Sequence, residues 1–285
     1  MEARLAHPAF DGVRQALARL DGRHEATLET LNQIATEFDL RTESGQAVRF
    51  VAPTPSDTPY ELRVFNTGCV ETRPASRHDF FNAVAWLAFP RTKARINAMH
   101  AAQIPKENGV RGRLRDLLTL FDEGGAIVQC ADPELVGLVR KFRWKELFWT
   151  RREQTRRAMR VLVLGHAVLE KALEPWPGIA CKCIFTAADA SADEAAAAWL
   201  SELSPQATPS ELAPLPIFGY PGWVADNARP EYYLDARYFR PFRRASGPSR
   251  RRRVEATEHV VARYTFQERE QPSPPCSVTE EEDSQ

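Results

Sequence analysis

The segment Arg77–His100, RHDFFNAVAWLAFPRTKARINAMH, constrains this chain more than any other. At about 100° per residue, Phe80, Phe81, Ala83, Val84, Ala85, Trp86, Leu87, Ala88 and Phe89 cover nearly the whole circumference of a helix. A helix that is apolar all round has to be buried, so the chain must build a core around it. Ser76 can cap its start, with Asp79 three residues on in the capping-box position. Pro90 stops this helix and suits the first turn of a second. Polar side chains on such a pair need partners, because an interior amide left alone costs about 1–3 kcal/mol. The segment therefore marks where a site would sit.

His78 and Asn82 are four apart and share a face. In the second helix Lys93, Asn97 and His100 fall within a sector of about 60°. A solvated face accounts for that second set, since Lys is seldom buried, and an amide tying its helix to a loop accounts for Asn82. If the helices form a corner, the two polar faces meet instead. They then offer an ammonium, two amides and two imidazoles, a set that can bind an anionic group or support acid–base chemistry. On that reading His78, His100 and Lys93 are the candidate catalytic residues, and Asn82 and Asn97 the substrate-binding ones.

A metal would need further ligands. Asp116 and Asp122 lie in Arg113–Glu123, although Asp122 and Glu123 read first as turn residues. His166 and Glu170, four apart, share one helical face as inward-projecting ligands can. Arg160 and Glu174 lie toward the same side, so a wet face explains that pair equally well. No HExxH, P-loop, GxSxG or GxGxxG is present.

The fold class expected is α+β, predominantly helical, with one or two short β-hairpins and an extended Pro/aromatic-rich C-terminal arm. Helices are predicted from about Phe10 to Leu20 and from about Glu25 to Phe38. Val48–Val51 reads as a strand. Glu61–Phe65 and Cys69–Glu71, separated by Asn66-Thr67-Gly68, read as a strand pair. Leu117–Phe121 and Ala126–Gln129, joined by Asp122-Glu123-Gly124-Gly125, read as a hairpin. Asp132-Pro133 starts a helix, a long helical stretch, continuous or with one break, runs from about Trp144 to Leu173, and Ile179–Phe185 is a strand. Ser191 and Glu194 form a capping box before Ala195–Leu203. Leu212–Pro241 interleaves prolines with aromatics and should clasp the domain surface as an extended arm. We expect one domain over 1–243 and a polar, disordered tail over 244–285, which carries the run Arg250–Arg253 and an acidic end.

Composition excludes several classes. Lys+Arg and Asp+Glu balance at 38 each, so no overall field recruits nucleic acid or membrane. No segment approaches the roughly 20 apolar residues of a membrane span. Five scattered cysteines give no disulfide framework, and a cytoplasmic location is the default. Cys181 and Cys183 would share a strand face, a weak metal hint beside the more ordinary buried thiol.

A nucleic-acid alternative rests on Arg140–Arg160. It holds nine Lys or Arg, among them Arg140, Lys141, Arg143, Arg151, Arg152 and Arg156, interleaved with Phe142, Trp144, Phe148 and Trp149. Such a pattern can bind phosphates and stack bases. Core aromatics with a wet charged face fit it better. The residues name no cofactor and no partner.

Six stretches carry a resemblance: HDFFNAVAWLAFPRTKARINAMHAA, RDLLTLFDEGGAIV, FRWKELFW, LGHAVLEKAL, PLPIFGYPGW and the later YFRP. Together they resemble an uncharacterised bacterial family, domain of unknown function 3025, over most of Phe10–Arg243. One departure is Tyr232-Tyr233-Leu234-Asp235, where the family pattern has a second acid beside Asp235. The resemblance implies a bacterial cytoplasmic globular protein and adds no reaction. Three functional readings stay open: an enzyme of hydrolase type on the 77–100 helix pair, a nucleic-acid-binding module, and a non-catalytic interaction protein using the arm.

Overall fold

The computed structural model describes residues 2–20, 27–107 and 109–241. The expected tail, its Arg run and the domain boundary at 243 lie outside the described residues. In chain order the helices are α1 (Glu2–Leu5), α2 (Arg14–Arg19), α3 (Leu28–Glu37), α4 (Tyr60–Thr67), α5 (Arg77–Ala88), α6 (Pro90–Gln103), α7 (Arg113–Gly124), α8 (Pro133–Arg140), α9 (Arg152–Ala158), α10 (His166–Ala172) and α11 (Ala192–Ser201). The strands are β1 (Arg49–Val51), β2 (Cys69–Glu71), β3 (Gly125–Cys130), β4 (Met159–Val163), β5 (Ala180–Thr186) and β6 (Ala213–Pro216). The class is α+β, as expected. The caps read from sequence are in place: Ser76 Oγ accepts from Asp79 N at 3.2 Å, Asp132 caps α8 and Ser191 caps α11.

The expected hairpins are not formed. Leu117–Phe121 belongs to α7, where Leu114, Leu117, Leu118 and Phe121 recur at helical spacing and are all buried. Glu61–Phe65 belongs to α4. Asn66-Thr67-Gly68 ends that helix instead of turning a hairpin: Gly68, at φ 73°, is its left-handed cap. A Cβ there would lie 2.0 Å from the Ala47 carbonyl oxygen, so only glycine fits. Because α4 crosses over, β1 and β2 pair in parallel, Phe50 opposite Val70.

A second sheet has the order β4-β3-β5-β6. Its centre pairs β3 with β5 in parallel, Ile127 opposite Ile184, and both outer pairings are antiparallel. Every residue of β3 is buried, which is why GAIVQC carries almost no polar alternation. β4 interrupts what reads as a long helical stretch, continuous or with one break, from Trp144 to Leu173. The segment MRVLV pairs with β3, and a π-helical turn (Glu146–Thr150) and α9 precede it. Here sheet pairing overrides a run of good helix formers.

The arm is built into the domain. Its first residues form β6 at the sheet edge, where the missing N–H groups of Pro214 and Pro216 are tolerated. It then runs through short 3₁₀ turns. Tyr238 Oη donates to Ile179 O at 2.7 Å, Trp144 Nε1 to Arg240 O at 2.8 Å, and Arg152 Nη1 to Asn227 O at 2.9 Å. One apolar core extends from Leu5 to Phe239. Three contacts between helices bring the polar segments of the chain together: α5 packs on α10, and α6 packs on both α7 and α4. Among the described residues no helix is long and apolar enough to cross a membrane.

Candidate active site

The helix pair is fixed at both of its starts. Ser76 caps α5, and the Asp79 carboxylate takes Arg73 Nε and Nη2 at 2.8 and 2.9 Å. At the start of α6, Arg91 N and Thr92 N donate to the carboxylate of Asp193 on α11, at 3.0 and 2.8 Å. An acid at a helix N-terminus satisfies free N–H groups and complements the dipole. So anchored, α5 and α6 direct His78, Asn82, Lys93, Asn97 and His100 to the wall of one cavity of about 510 Å³. The solvated-face reading of α6 is overturned, since Lys93, Asn97 and His100 are buried.

Lys93 holds the middle of this wall. Its Nζ donates to Asn82 Oδ1 at 2.8 Å and to Asp122 Oδ1 at 2.5 Å, and lies 5.7 Å from the centre of the Trp86 ring. Lys93 is 4% exposed and Asp122 18%. Burial works to raise the Asp122 carboxyl, but the ammonium, with help from His166, outweighs it and holds the group below the usual carboxylate range. A buried pair of this kind is kept by its mutual hydrogen bonds, because either ion alone would be strongly unfavourable.

At one side of Lys93, Asn97 Nδ2 donates to the backbone oxygen of Glu61 at 2.9 Å and to its Oε2 at 2.6 Å. Asn97 Oδ1 is buried without a partner. Burial pushes the Glu61 carboxyl up, against the effect of Asn97, and pushes the neighbouring Tyr60 hydroxyl up as well. His100 is driven down to about 4, chiefly by burial. Its Nδ1 sits 3.2 Å from Arg115 Nε, a fixed donor, so His100 accepts there.

At the other side, α7 and α10 supply a cluster. Glu123 lies in the last turn of α7 and His166 begins α10. The two chain segments touch because Gly165 lets them, and Gly125 lets the chain leave α7 close against Phe121. A Cβ on Gly165 would lie 2.5 Å from Gly125 N and 2.6 Å from Glu123 O, and one on Gly125 would lie 2.1 Å from Phe121 O. Leu164 N and Gly165 N both donate to Gly125 O, at 3.0 and 2.8 Å. His166 is thereby set beside the end of α7. His166 Nε2 lies 3.2 Å from His78 Nε2 and 3.4 Å from Glu123 Oε2. His78 Nε2 lies 3.9 Å from Glu123 Oε1. One ligand atom from each of the three residues falls within 4.8 Å of the others, a spacing that can hold a metal ion. Behind them, Asp122 Oδ2 is 3.7 Å from His166 Nδ1, and Glu170 Oε2 is 3.5 Å from His78 Nδ1. Burial takes His166 down to about 3, against the attraction of Asp122. Burial also raises the Glu123 carboxyl, with His78 opposing it.

Of the metal candidates read from sequence, His166 joins this cluster. Asp122 and Glu170 stand one step behind it. Asp116 is remote: it is exposed and paired with Arg111 at 3.2 Å. Glu123, read as a turn residue, is the ligand the sequence reading passed over. Glu61 falls in the expected strand Glu61–Phe65, and Tyr60 just before it; both belong to α4. The glycines of FDEGG and LGH were the available signal, since each stands beside a residue of the cluster.

Most arginines of the nucleic-acid alternative have an acid or the arm as partner. Arg143 pairs with Glu146 at 2.7 Å, Arg151 with Glu134 at 2.7 Å and Arg156 with Glu153 at 3.4 Å. Arg152 ties down the arm, and Arg140 lies over Phe185 at 5.4 Å. Lys141 caps α8 as its C-terminal residue. Trp144 and Phe148, the interleaved aromatics, are buried in the core.

No curated protein and no solved structure matches the chain. Residues 48–243, which contain both sheets and the whole cavity wall, match the family described as Protein of unknown function (DUF3025), and the chain belongs to that family.

Proposed function

We propose that this cavity is the active site of an enzyme of hydrolase type acting on a small polar molecule. The observation that carries the reading is the convergence, on one cavity wall, of the His78–Glu123–His166 cluster with the buried Lys93–Asp122 pair. A volume of about 510 Å³ suits a small-molecule ligand. The cluster would bind and activate a water molecule. Lys93, donating to Asn82 and Asp122, keeps a third N–H with which to stabilise negative charge on the attacked group.

The neighbouring groups take narrower parts than the sequence reading gave them. His100 has its Nδ1 committed to Arg115 and serves as a donor through Nε2. Asn97 orients Glu61. We read the chain as a bacterial cytoplasmic protein, which the free cysteines Cys69, Cys130, Cys181 and Cys183 suit. The nucleic-acid alternative has less support, because most of its arginines are paired with acids or the arm.

The test is turnover of a panel of esters, amides and phosphoesters by the full chain. Hydrolysis that falls about 10²–10⁴-fold in His78→Ala supports the reading. A clean preparation that is inert across the panel counts against it.

A further inference from the structure

We infer that His78, Glu123 and His166 bind one divalent metal ion of the zinc class, leaving a fourth position open to the cavity. For Zn–N and Zn–O bonds of about 2.0–2.2 Å, tetrahedral ligands stand about 3.3–3.5 Å apart. Here the separations are 3.2 Å for His78 to His166, 3.4 Å for Glu123 to His166 and 3.9 Å for Glu123 to His78. Two imidazoles and one carboxylate, with a fourth position free, form the ligand set of a catalytic zinc site.

The surroundings of the two rings point the same way. Glu170 stands 3.5 Å from Nδ1 of His78, and Asp122 stands 3.7 Å from Nδ1 of His166. A carboxylate on that side favours a proton on Nδ1 and frees Nε2 as a ligand. Both Nε2 lone pairs then face each other across 3.2 Å, with the Glu123 carboxylate beside them. Three lone pairs converging without a cation repel. The bland alternative is a hydrogen bond between the rings. With neutral rings it moves one proton to Nε2 and turns that ring's Nδ1 lone pair onto a carboxylate. A bound cation satisfies both Nε2 lone pairs and the Glu123 carboxylate together, with Glu170 and Asp122 left facing the Nδ1 sides. Three carboxylates, Asp122, Glu123 and Glu170, face two ammonium groups that act on this cluster, Lys93 and Lys171, so the local charge also favours a cation.

The ligands are held in advance. His78 is in the first turn of α5, Glu123 in the last turn of α7, and His166 at the start of α10. The glycine contact between residues 125 and 165 fixes the second and third relative to each other.

Binding does not depend on the hydrolytic reading; only the use of the ion to activate water rests on it. The test is titration of Zn²⁺, then Co²⁺, into the untagged, chelator-stripped full chain. Stoichiometry is read by native mass spectrometry and affinity by calorimetry. One equivalent is expected, with visible bands of four-coordinate Co²⁺. His166→Gln should weaken Zn²⁺ at least about 100-fold, and Glu170→Gln about 10–100-fold. Glu170 is 37% exposed, so this second variant keeps the test sound should His166→Gln misfold. Absence of stoichiometric binding, or binding unchanged in both variants, overturns the inference. One equivalent bound without hydrolysis of any panel substrate upholds the metal and sinks the hydrolase reading. Hydrolysis by a chain that stays metal-free does the reverse.

Discussion

The arm and the cavity each bury an asparagine, and the two amides are used differently. Asn227 Nδ2 donates to Phe218 O and Tyr220 O at 3.1 and 2.6 Å, and its Oδ1 accepts from Gly222 N at 3.1 Å. Both ends of the amide are spent on holding the arm. Asn97 donates twice to Glu61, but its Oδ1 has no partner. Around Asn227 stand neutral backbone groups and one arginine. Asn97 shares its cavity wall with Glu61, Asp122, Lys93, His100 and His166. Satisfied polar groups stabilise a fold; crowded and partly satisfied ones are tolerated where chemistry needs them. The contrast therefore predicts that arm variants lose stability alone, while cavity variants separate stability from activity.

The largest expected effect is at Lys93. Lys93→Ala leaves Asp122 buried without its counter-ion and should cost about 3–5 kcal/mol in urea unfolding. Lys93→Ala combined with Asp122→Ala should recover much of that stability while hydrolysis stays lost. If the double variant is no more stable than the single one, the cavity pair is not held as described.

A pH effect comes next. His100 titrates near 4 in the folded chain, from an ordinary 6.5, mainly because it is buried. The unfolded chain thus takes a proton that the folded chain refuses until near pH 4. Stability present above pH 6.5 is lost as pH falls through that window, by up to about 3 kcal/mol. The urea midpoint measured from pH 7 to pH 4.5 should fall in the wild type, and fall less in His100→Asn.

Asn227→Ala should cost about 2–3 kcal/mol, since it strands backbone groups of the arm. Metal binding and turnover should be unchanged in the surviving folded fraction. Gly165→Ala should cost about 1–3 kcal/mol, because its Cβ would meet backbone at 2.5 Å. Unlike the arm variant, it should also weaken Zn²⁺ by displacing His166. At the small end, Glu153→Gln removes an exposed partner of Arg156 and should change stability by less than about 0.5 kcal/mol.

Local signals were legible in the sequence and long-range ones were not. The caps at Ser76, Asp132 and Ser191 could be read because each is settled within three residues. The polar set on α5 and α6 could be read because hydrophilic groups on a pair of buried helices have few places to go. The parallel pairing of β1 with β2 could not, since Glu61–Phe65 fits either a strand or a turn of helix until Gly68 is known to cap it. FDEGG read as a hairpin turn because acids followed by glycines commonly make one. Gly125 is there for a different reason, since a Cβ would meet Phe121 O at 2.1 Å; Gly165, about forty residues further on, is there because a Cβ would meet the backbone of Glu123–Gly125, and no local pattern announces that contact. Glu123 was missed for the same reason, while His166 and His78 were each found without their mutual approach.

The central claim is that the cavity is a hydrolytic site operated by the α5, α7 and α10 cluster. It is tested most directly by comparing turnover on the substrate panel for the wild type, His166→Gln and Asn227→Ala at matched folded concentration. The account predicts hydrolysis that is retained in Asn227→Ala and lost by about 10²-fold or more in His166→Gln. Equal turnover in wild type and His166→Gln would contradict it.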